Sequence, residues 1–217
     1  MTSSLREHTA IFGGSFNPPH SGHVQAIQGL LKNPGVRRVK VVPSFGTPLK
    51  ETGVSYEHRL AMAKAAFEGF AEVDEIEGEH RIEFTWQLLE VLKGRGEPLA
   101  FVIGSDQLEA LPRWRRFPEV LNQCDWIVLA RKPGGLDRAA RAAAELATGG
   151  ILIGTENPAT YRTRNGKTSL YLCETGAPEL SSTGIREALA LKHKESVGGL
   201  IPSGALEYIE RNKLYGT

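Results

Sequence analysis

The stretch IFGGSFNPPHSGH, from Ile11 to His23, joins an apolar run to the amphipathic segment VQAIQGLLK. The apolar run TAIFGG, residues 9–14, is typical of a short buried strand, and HVQAIQGLLK, residues 23–32, is typical of a helix. The apolar run ends in two glycines. Two prolines and a histidine lie between the two segments, and a second histidine opens the helical segment. The sequence therefore predicts a strand that gives way to a helix through a turn rich in potential ligand-binding groups.

Strand-like and helix-like segments alternate along the rest of the chain. The clearest strand is PLAFVIGSD, residues 98–106, a continuous apolar run that ends in Gly-Ser-Asp. Further strands are predicted at 36–43, 72–77, 125–134, 150–154 and 169–175, and helices at 55–69, 84–96, 118–124, 136–150, 182–194 and 203–213. The turn-rich segment 155–168 is predicted as a loop or short hairpin. This order predicts one α/β domain over residues 1–217, a parallel sheet with helices on both faces, with 181–217 forming a C-terminal helical part.

Composition and charge exclude several classes of protein. The 217 residues carry a formal net charge of +1, so no basic excess indicates a nucleic-acid partner. The two cysteines, Cys124 and Cys173, have no neighbours at metal-ligand spacing and are predicted to be buried, reduced thiols. No signal peptide and no membrane-spanning run is visible, so a cytoplasmic location without membrane contact is expected.

The opening stretch has the chemistry of an anion site. Gly13 and Gly14 lack Cβ atoms, so a phosphate can approach the backbone closely after the strand. His20 and His23 are three residues apart and share roughly one face at the start of a helix. The N-terminus of that helix adds free N–H groups and partial positive charge. In a parallel sheet, ligands bind at the carboxyl ends of the strands, where this turn lies.

The motif GGSFNPPHSGH resembles the signature of the HxGH nucleotidylyltransferases, with His20-Ser21-Gly22-His23 as the four signature residues. LSSTGIR, residues 180–186, resembles the second signature of that superfamily, ISSTxIR. FVIGSDQLEALPRWRRFPEVL, HRLAMAKAAF and YIERNKLYGT are similar to segments of nicotinate-nucleotide adenylyltransferases. The similarity covers nearly the whole chain and implies a Rossmann-like, doubly wound, mostly parallel fold.

This resemblance implies a reaction in NAD biosynthesis. The 5′-phosphate of nicotinic acid mononucleotide would attack the α-phosphorus of ATP and give nicotinic acid adenine dinucleotide and pyrophosphate. No covalent enzyme intermediate is expected, because such a displacement needs positioning and charge neutralisation. Mg²⁺ is implied as a cofactor brought with ATP, and no carboxylate cluster for a metal site made by the protein alone is evident. The resemblance is compatible with a homodimer.

The resemblance also implies roles for individual residues. His20, His23 and Arg186 are the candidate catalytic residues, with the histidines donating hydrogen bonds to the triphosphate. The candidate ATP-binding residues are Gly13, Gly14, Ser15, Phe16, Gly104, Asp106, Ser182 and Thr183. The candidate residues for the nicotinate nucleotide are Lys50, Thr85, Trp114 and Arg115. Trp114 is expected to stack on the pyridine ring, and Thr85 to lie near its carboxylate.

The chain departs from the family pattern at three of these places. Lys50 lies in Thr-Pro-Leu-Lys, where the family usually has a Pro-Pro-His-Lys-like sequence. Arg115 stands where relatives often carry tyrosine, and Asn17 stands where aspartate is common. The departure at Arg115 leaves the contact to the nicotinate carboxylate open, and the loop around Asn17 is expected to survive because asparagine still forms local hydrogen bonds.

Two alternatives stay open at this point. The acceptor could be nicotinamide mononucleotide, because a few side chains decide between an acid and an amide. A non-catalytic nucleotide-binding module of the same fold is the second alternative, although both histidines and Arg186 are present. The block GSDQLEALPRW argues against phosphopantetheine or cytidylyl-transfer substrates.

Overall fold

A computed structural model describes residues 8–46, 53–178, 180–191 and 197–217. Its strands are β1 (His8–Gly14), β2 (Val36–Pro43), β3 (Glu72–Val73), β4 (Leu99–Gly104), β5 (Asp125–Lys132), β6 (Leu152–Gly154), β7 (Thr160–Thr163) and β8 (Ser169–Pro178). Its helices are α1 (Ser21–Leu31), α2 (Tyr56–Phe67), α3 (Ile76–Glu79), α4 (Thr85–Lys93), α5 (Ser105–Ala110), α6 (Gly135–Thr148), α7 (Ser182–Ala190) and α8 (Ser203–Arg211).

The strands form an eight-stranded sheet in the order β3-β2-β1-β4-β5-β8-β7-β6. The pairs from β3 to β8 are parallel, whereas β7 is antiparallel to both β8 and β6. The predicted fold class, a doubly wound and mostly parallel α/β sheet, is confirmed. The order reverses between β1 and β4, the place where such sheets bind ligands.

Side chains alternate between two cores because successive residues of a strand point to opposite faces. Along β5, Ile127 and Leu129 enter a first core, and Trp126 and Val128 enter a second. Helices α1, α2, α7 and α8 cover the first core with Ile27, Met62, Ile185, Ile209 and their neighbours. Helices α4, α5 and α6 cover the second core with Leu88, Leu89, Leu92, Leu108, Ala139, Ala143 and Leu146. Helices therefore lie on both faces of the sheet, as predicted.

Two segments differ from the sequence prediction. Residues 72–77 were predicted as a strand, but β3 ends at Val73 and α3 begins at Ile76. Asp74 explains the change, because its carboxylate accepts a hydrogen bond from the Ile76 N–H (3.1 Å) and closes a turn. The helix predicted at 118–124 is only a 3₁₀ turn, Glu119–Asn122, whereas the segment 155–168 contains β7, which pairs antiparallel with β6 and β8 as the hairpin alternative predicts.

Both cysteines are free thiols. Cys124 is buried, and burial raises its pKa to about 12; Cys173 is partly buried. No helix in the described part of the chain has the length and apolar character needed to cross a bilayer.

Candidate active site

Two adjoining cavities open at the carboxyl ends of β1, β4 and β5. The first, of about 360 Å³, is lined by residues of the turn after β1, the start of α5, the segment after β5 and the start of α7. The second, of about 330 Å³, is lined by β1, β4 and the start of α4. The residues that line both are Ser15, His23, Asp106 and Arg131. Their shared wall makes the two cavities parts of one site.

The histidine loop, residues 15–20, is in direct contact with the start of α7. The Ser182 hydroxyl donates to the carbonyl of Pro18 (3.0 Å). Arg186 donates through Nη1 to the carbonyl of Asn17 (2.8 Å) and through Nη2 to the Thr183 hydroxyl (3.2 Å). The two signature motifs, which lie far apart in the sequence, therefore meet at the first cavity.

His20 and His23 form a stacked pair. Their ring centroids are 3.6 Å apart, and their planes differ by 20°. The backbone N–H of His20 donates to Nδ1 of His23 (3.2 Å), so the ring proton of neutral His23 lies on Nε2. Nδ1 of His20 is buried and has no hydrogen-bond partner among the described residues. Both imidazoles line the first cavity and have hydrogen-bonding capacity left for a ligand.

Burial, together with the positive charge of Arg131, lowers the pKa of His20 to about 4. Burial also holds the pKa of His23 well below its usual value, with additional effects from His20 and Arg131. Both rings are therefore neutral at physiological pH in the free protein. A bound polyanion would favour the charged forms and raise these pKa values.

Asp106 and Arg131 occupy the shared wall of the two cavities. Asp106 follows β4, and its carboxylate accepts a hydrogen bond from Gln107 (3.2 Å). A Cβ on Gly104 would lie 2.5 Å from Oδ1 of Asp106, so a larger residue at 104 would displace this carboxylate. Arg131 lies at the end of β5 and was missed by the sequence analysis. The sequence does carry a signal for Arg131, because this residue lies at the carboxyl end of a predicted buried strand, where ligands bind in such sheets.

Gly13 and Gly14, the last two residues of β1, line the second cavity, and they are not among the residues that line the first. A Cβ on Gly13 would lie 3.2 Å from the Phe101 ring, and one on Gly14 would lie 3.0 Å from the Phe16 ring. Glycine at these positions makes room for aromatic side chains. Phe16 itself is buried and lines neither cavity, so the structure places its side chain in the core behind His23. The side chain of Phe16 therefore faces neither cavity, and its predicted contact with ATP stays a prediction for the backbone of the loop.

Thr85 and Trp114 both line the second cavity, which brings two predicted residues together. Thr85 is the first residue of α4, where helix N–H groups lack partners within the helix. Trp114 is half-buried and packs edge-on against Trp126, with ring centroids 6.2 Å apart. Glu77 also lines this cavity, and burial raises its pKa to about 7. Glu77 lies in the segment 72–77 that the sequence predicts as a strand, and so it is not among the predicted site residues.

Of the other two residues predicted for the nicotinate nucleotide, Arg115 is not brought to the cavity. Arg115 is exposed, and its guanidinium lies 4.4 Å from the centroid of the Phe84 ring. It lines neither cavity, so the prediction of a direct contact has no support in this arrangement. Lys50 lies outside the described residues.

The donor set of the site suits a metal ion that arrives on a ligand. In the described ranges, no group of three His, Cys, Asp or Glu residues converges to hold a metal. The carboxylate that lines both cavities is that of Asp106. One carboxylate together with phosphate oxygens and water is a set that Mg²⁺ accepts.

Comparison with known proteins agrees with this geometry. Residues 11–188 match the family model described as "Cytidylyltransferase-like". The chain is 33% identical to a "probable nicotinate-nucleotide adenylyltransferase" of Serratia proteamaculans, with 95% of this chain and 94% of that protein covered. It is 31% identical to a protein of the same name from Gemmatimonas aurantiaca, over 94% of this chain and 90% of that protein.

Among solved structures, the fold is similar to that of Plasmodium falciparum nicotinic acid mononucleotide adenylyltransferase in complex with NaAD. The TM-score is 0.73 at 17% sequence identity, and the match covers 97% of this chain and 98% of that chain. The same Plasmodium falciparum protein complexed with APC matches with a TM-score of 0.69 at 16% identity, over 97% of this chain and 98% of that chain.

Proposed function

The chain belongs to the cytidylyltransferase-like family and, within it, to the nicotinate-nucleotide adenylyltransferases, and we propose that it transfers the adenylyl group of ATP to nicotinic acid mononucleotide. The products are nicotinic acid adenine dinucleotide and pyrophosphate. The observation that carries this proposal is the contact of the histidine loop with the start of α7 at one cavity. Two imidazoles, the Thr183 hydroxyl and a guanidinium are thereby available to one polyphosphate.

The first cavity takes the triphosphate of ATP in this proposal. His20 and His23 donate hydrogen bonds to its oxygens, and at the N-terminus of α7 Thr183 offers its hydroxyl and Ser182 its backbone N–H. Arg186 adds a fixed positive charge one turn further along α7. These groups gain most when negative charge builds up on the leaving pyrophosphate, so they lower the barrier to displacement.

The second cavity takes the acceptor nucleotide. Trp114 offers a flat aromatic surface to the pyridine ring, and the N-terminus of α4 at Thr85 offers N–H groups to the carboxylate. The acceptor phosphate then lies at the shared wall, where Arg131 neutralises charge on both substrates. An oxygen of this phosphate forms a bond to the α-phosphorus, and the bond from that phosphorus to the pyrophosphate oxygen breaks.

Mg²⁺ is the cofactor in this proposal, and it enters bound to ATP. When bound, it neutralises phosphate charge during the transfer. Asp106 is the residue that would contact it or its water ligands, because this carboxylate lines both cavities.

A second acceptor, nicotinamide mononucleotide, is favoured by one observation. Glu77 lines the acceptor cavity, and an ionised carboxylate would accept a hydrogen bond from an amide and repel a nicotinate. Below its pKa of about 7, a protonated Glu77 could instead donate to the nicotinate carboxylate. We therefore expect the preference for the acid to increase as the pH falls from 8 to 6.

The test is pyrophosphate release with ATP, Mg²⁺ and each mononucleotide in turn. A higher kcat/KM for the nicotinate nucleotide supports the proposal. A higher kcat/KM for the amide would show that nicotinamide mononucleotide is the preferred acceptor. No release with either nucleotide, from a protein that still binds ATP, would point to a non-catalytic module. A cytoplasmic location and a homodimer stay predictions from the sequence.

A further inference from the structure

Residues 213–217 fold back to the histidine loop. The phenol of Tyr215 donates a hydrogen bond to Oδ1 of Asn17 (2.5 Å), a residue 198 positions away in the sequence. Asn17 is only 2% exposed and lines the first cavity. The contact therefore joins a segment outside both signature motifs to the wall of the polyphosphate site.

The setting of Tyr215 favours a fixed donor. Lys213 (φ 52°) and Tyr215 (φ 59°) both have left-handed backbone conformations, which residues other than glycine rarely adopt. Such conformations persist only where the surroundings impose them. Leu214 and Tyr215 pack against the first core, and burial raises the pKa of the Tyr215 hydroxyl. The phenol therefore keeps its proton and acts as a donor across the physiological pH range.

Other side chains hold the loop through its backbone. Arg59, which is 2% exposed, donates to the carbonyl of Ser15 (2.9 Å), and Arg186 donates to the carbonyl of Asn17 (2.8 Å). Tyr215 instead holds a side chain of the loop, that of Asn17. The Asn17 amide is neutral, so the contact adds no negative charge to a cavity that must receive a polyanion.

We propose that Tyr215 is a positioning residue for the adenylyl transfer: its hydrogen bond to Asn17 fixes the histidine loop in the position from which His20 and His23 meet the polyphosphate. The inference rests on the proposed function. Tyr215 touches no substrate in this scheme and acts only through Asn17. Loss of its hydroxyl should weaken the use of ATP and leave the binding of the acceptor unchanged, because Asn17 lines the first cavity and is not among the residues that line the second.

The test compares Tyr215→Phe with Tyr208→Phe. Tyr208 is a matched control, because its hydroxyl also makes a hydrogen bond, at 3.0 Å to Nδ1 of His58, but this bond is remote from both cavities. We expect Tyr215→Phe to lower kcat/KM for ATP by roughly 2- to 13-fold, the effect of one hydrogen bond of ordinary net strength. The KM for the acceptor nucleotide should stay at the parent value, and Tyr208→Phe should leave both constants unchanged.

A double-mutant cycle with Asn17→Ala tests the contact itself. If Tyr215 acts through Asn17, adding Tyr215→Phe to Asn17→Ala lowers kcat/KM for ATP no further. Multiplicative losses in the cycle would overturn the proposal, and so would a Tyr215→Phe enzyme that matches Tyr208→Phe in every constant. Equal losses of kcat/KM for both substrates, in step with the melting temperature, would likewise show a merely structural role.

Titration with a non-hydrolysable ATP analogue separates this inference from the proposed function. It needs no acceptor, so it reports on the histidine loop even if the parent protein releases no pyrophosphate. A Kd for the analogue that rises roughly 2- to 13-fold in Tyr215→Phe, but not in Tyr208→Phe, supports the positioning role. An unchanged Kd together with an unchanged kcat/KM for ATP would overturn it.

Discussion

Replacing His23 with alanine should separate catalysis from folding. The imidazole lies in the shared wall of the two cavities, stacked at 3.6 Å on His20 and edge-on at 5.1 Å to Phe16. Loss of one preorganised donor to a developing charge costs about 2.7–4 kcal/mol, or roughly 10²–10³ in kcat. The backbone N–H of His20 also loses its acceptor, which lowers the free energy of unfolding by about 1 kcal/mol.

Steady-state pyrophosphate release and thermal melting measure these two effects. In a protein of this size, about 1 kcal/mol corresponds to a melting temperature lower by roughly 2–4 °C. His58→Ala is the matched control, because His58 lies outside both cavities and makes one side-chain hydrogen bond, to Tyr208. It should lose similar stability at full activity. A His23→Ala enzyme within fivefold of the parent kcat would refute the assignment of His23 as a donor to the phosphates.

Three further predictions follow from the same site. Gly104→Ala places a methyl 2.5 Å from Oδ1 of Asp106 and should lower kcat/KM for ATP about tenfold in kinetic assays; Gly154→Ala, which meets nothing within 4 Å, should not. ATP binding should take up protons, because the polyanion raises the pKa of His20 from about 4. The affinity for ATP should therefore increase from pH 7 to pH 5. Calorimetry in buffers of different ionisation enthalpy measures the proton uptake, and His20→Gln should reduce it. Burial raises the pKa of Glu77 to about 7, so between pH 4.5 and 7 this carboxyl holds a proton in the folded state that it has released in the unfolded chain. The free energy of unfolding should therefore fall by up to about 3 kcal/mol between pH 4.5 and 7. Denaturant titrations measure this fall, and Glu77→Gln should remove it.

The architecture was predictable because its elements carry strong local signals. The apolar runs of β1, β4 and β5 end in glycine or charged residues, and the structure ends these strands within two residues of the predicted ends. The prediction of a strand over residues 72–77 was wrong because a short alternation of apolar and acidic residues fits either a strand or a turn followed by a helix. There the Asp74 side chain decides the outcome, through a hydrogen bond that apolar periodicity does not report.

The candidate site was predictable where a motif placed the residues and unpredictable where only the fold did. His20, His23, Ser182, Thr183 and Arg186 line the first cavity together, as the two signatures implied. Other residues reach the site or leave it through tertiary packing. Arg131 and Glu77 arrive from elements without a recognised motif, whereas Phe16 turns into the core and Arg115 lies on Phe84.

The bond between Asn17 and Tyr215 has a consequence for synthesis of the chain on the ribosome. The histidine loop emerges early, whereas three of the groups that hold it, Ser182, Arg186 and Tyr215, are translated at least 164 residues later. Closing a loop of 198 residues lowers the entropy of the chain, and packing of the completed core offsets this cost. A nascent polypeptide therefore completes its nucleotide site late in synthesis. A protease cut that releases residues 213–217 would remove the hydrogen bond of Tyr215 to Asn17 and weaken nucleotide binding in an otherwise folded molecule.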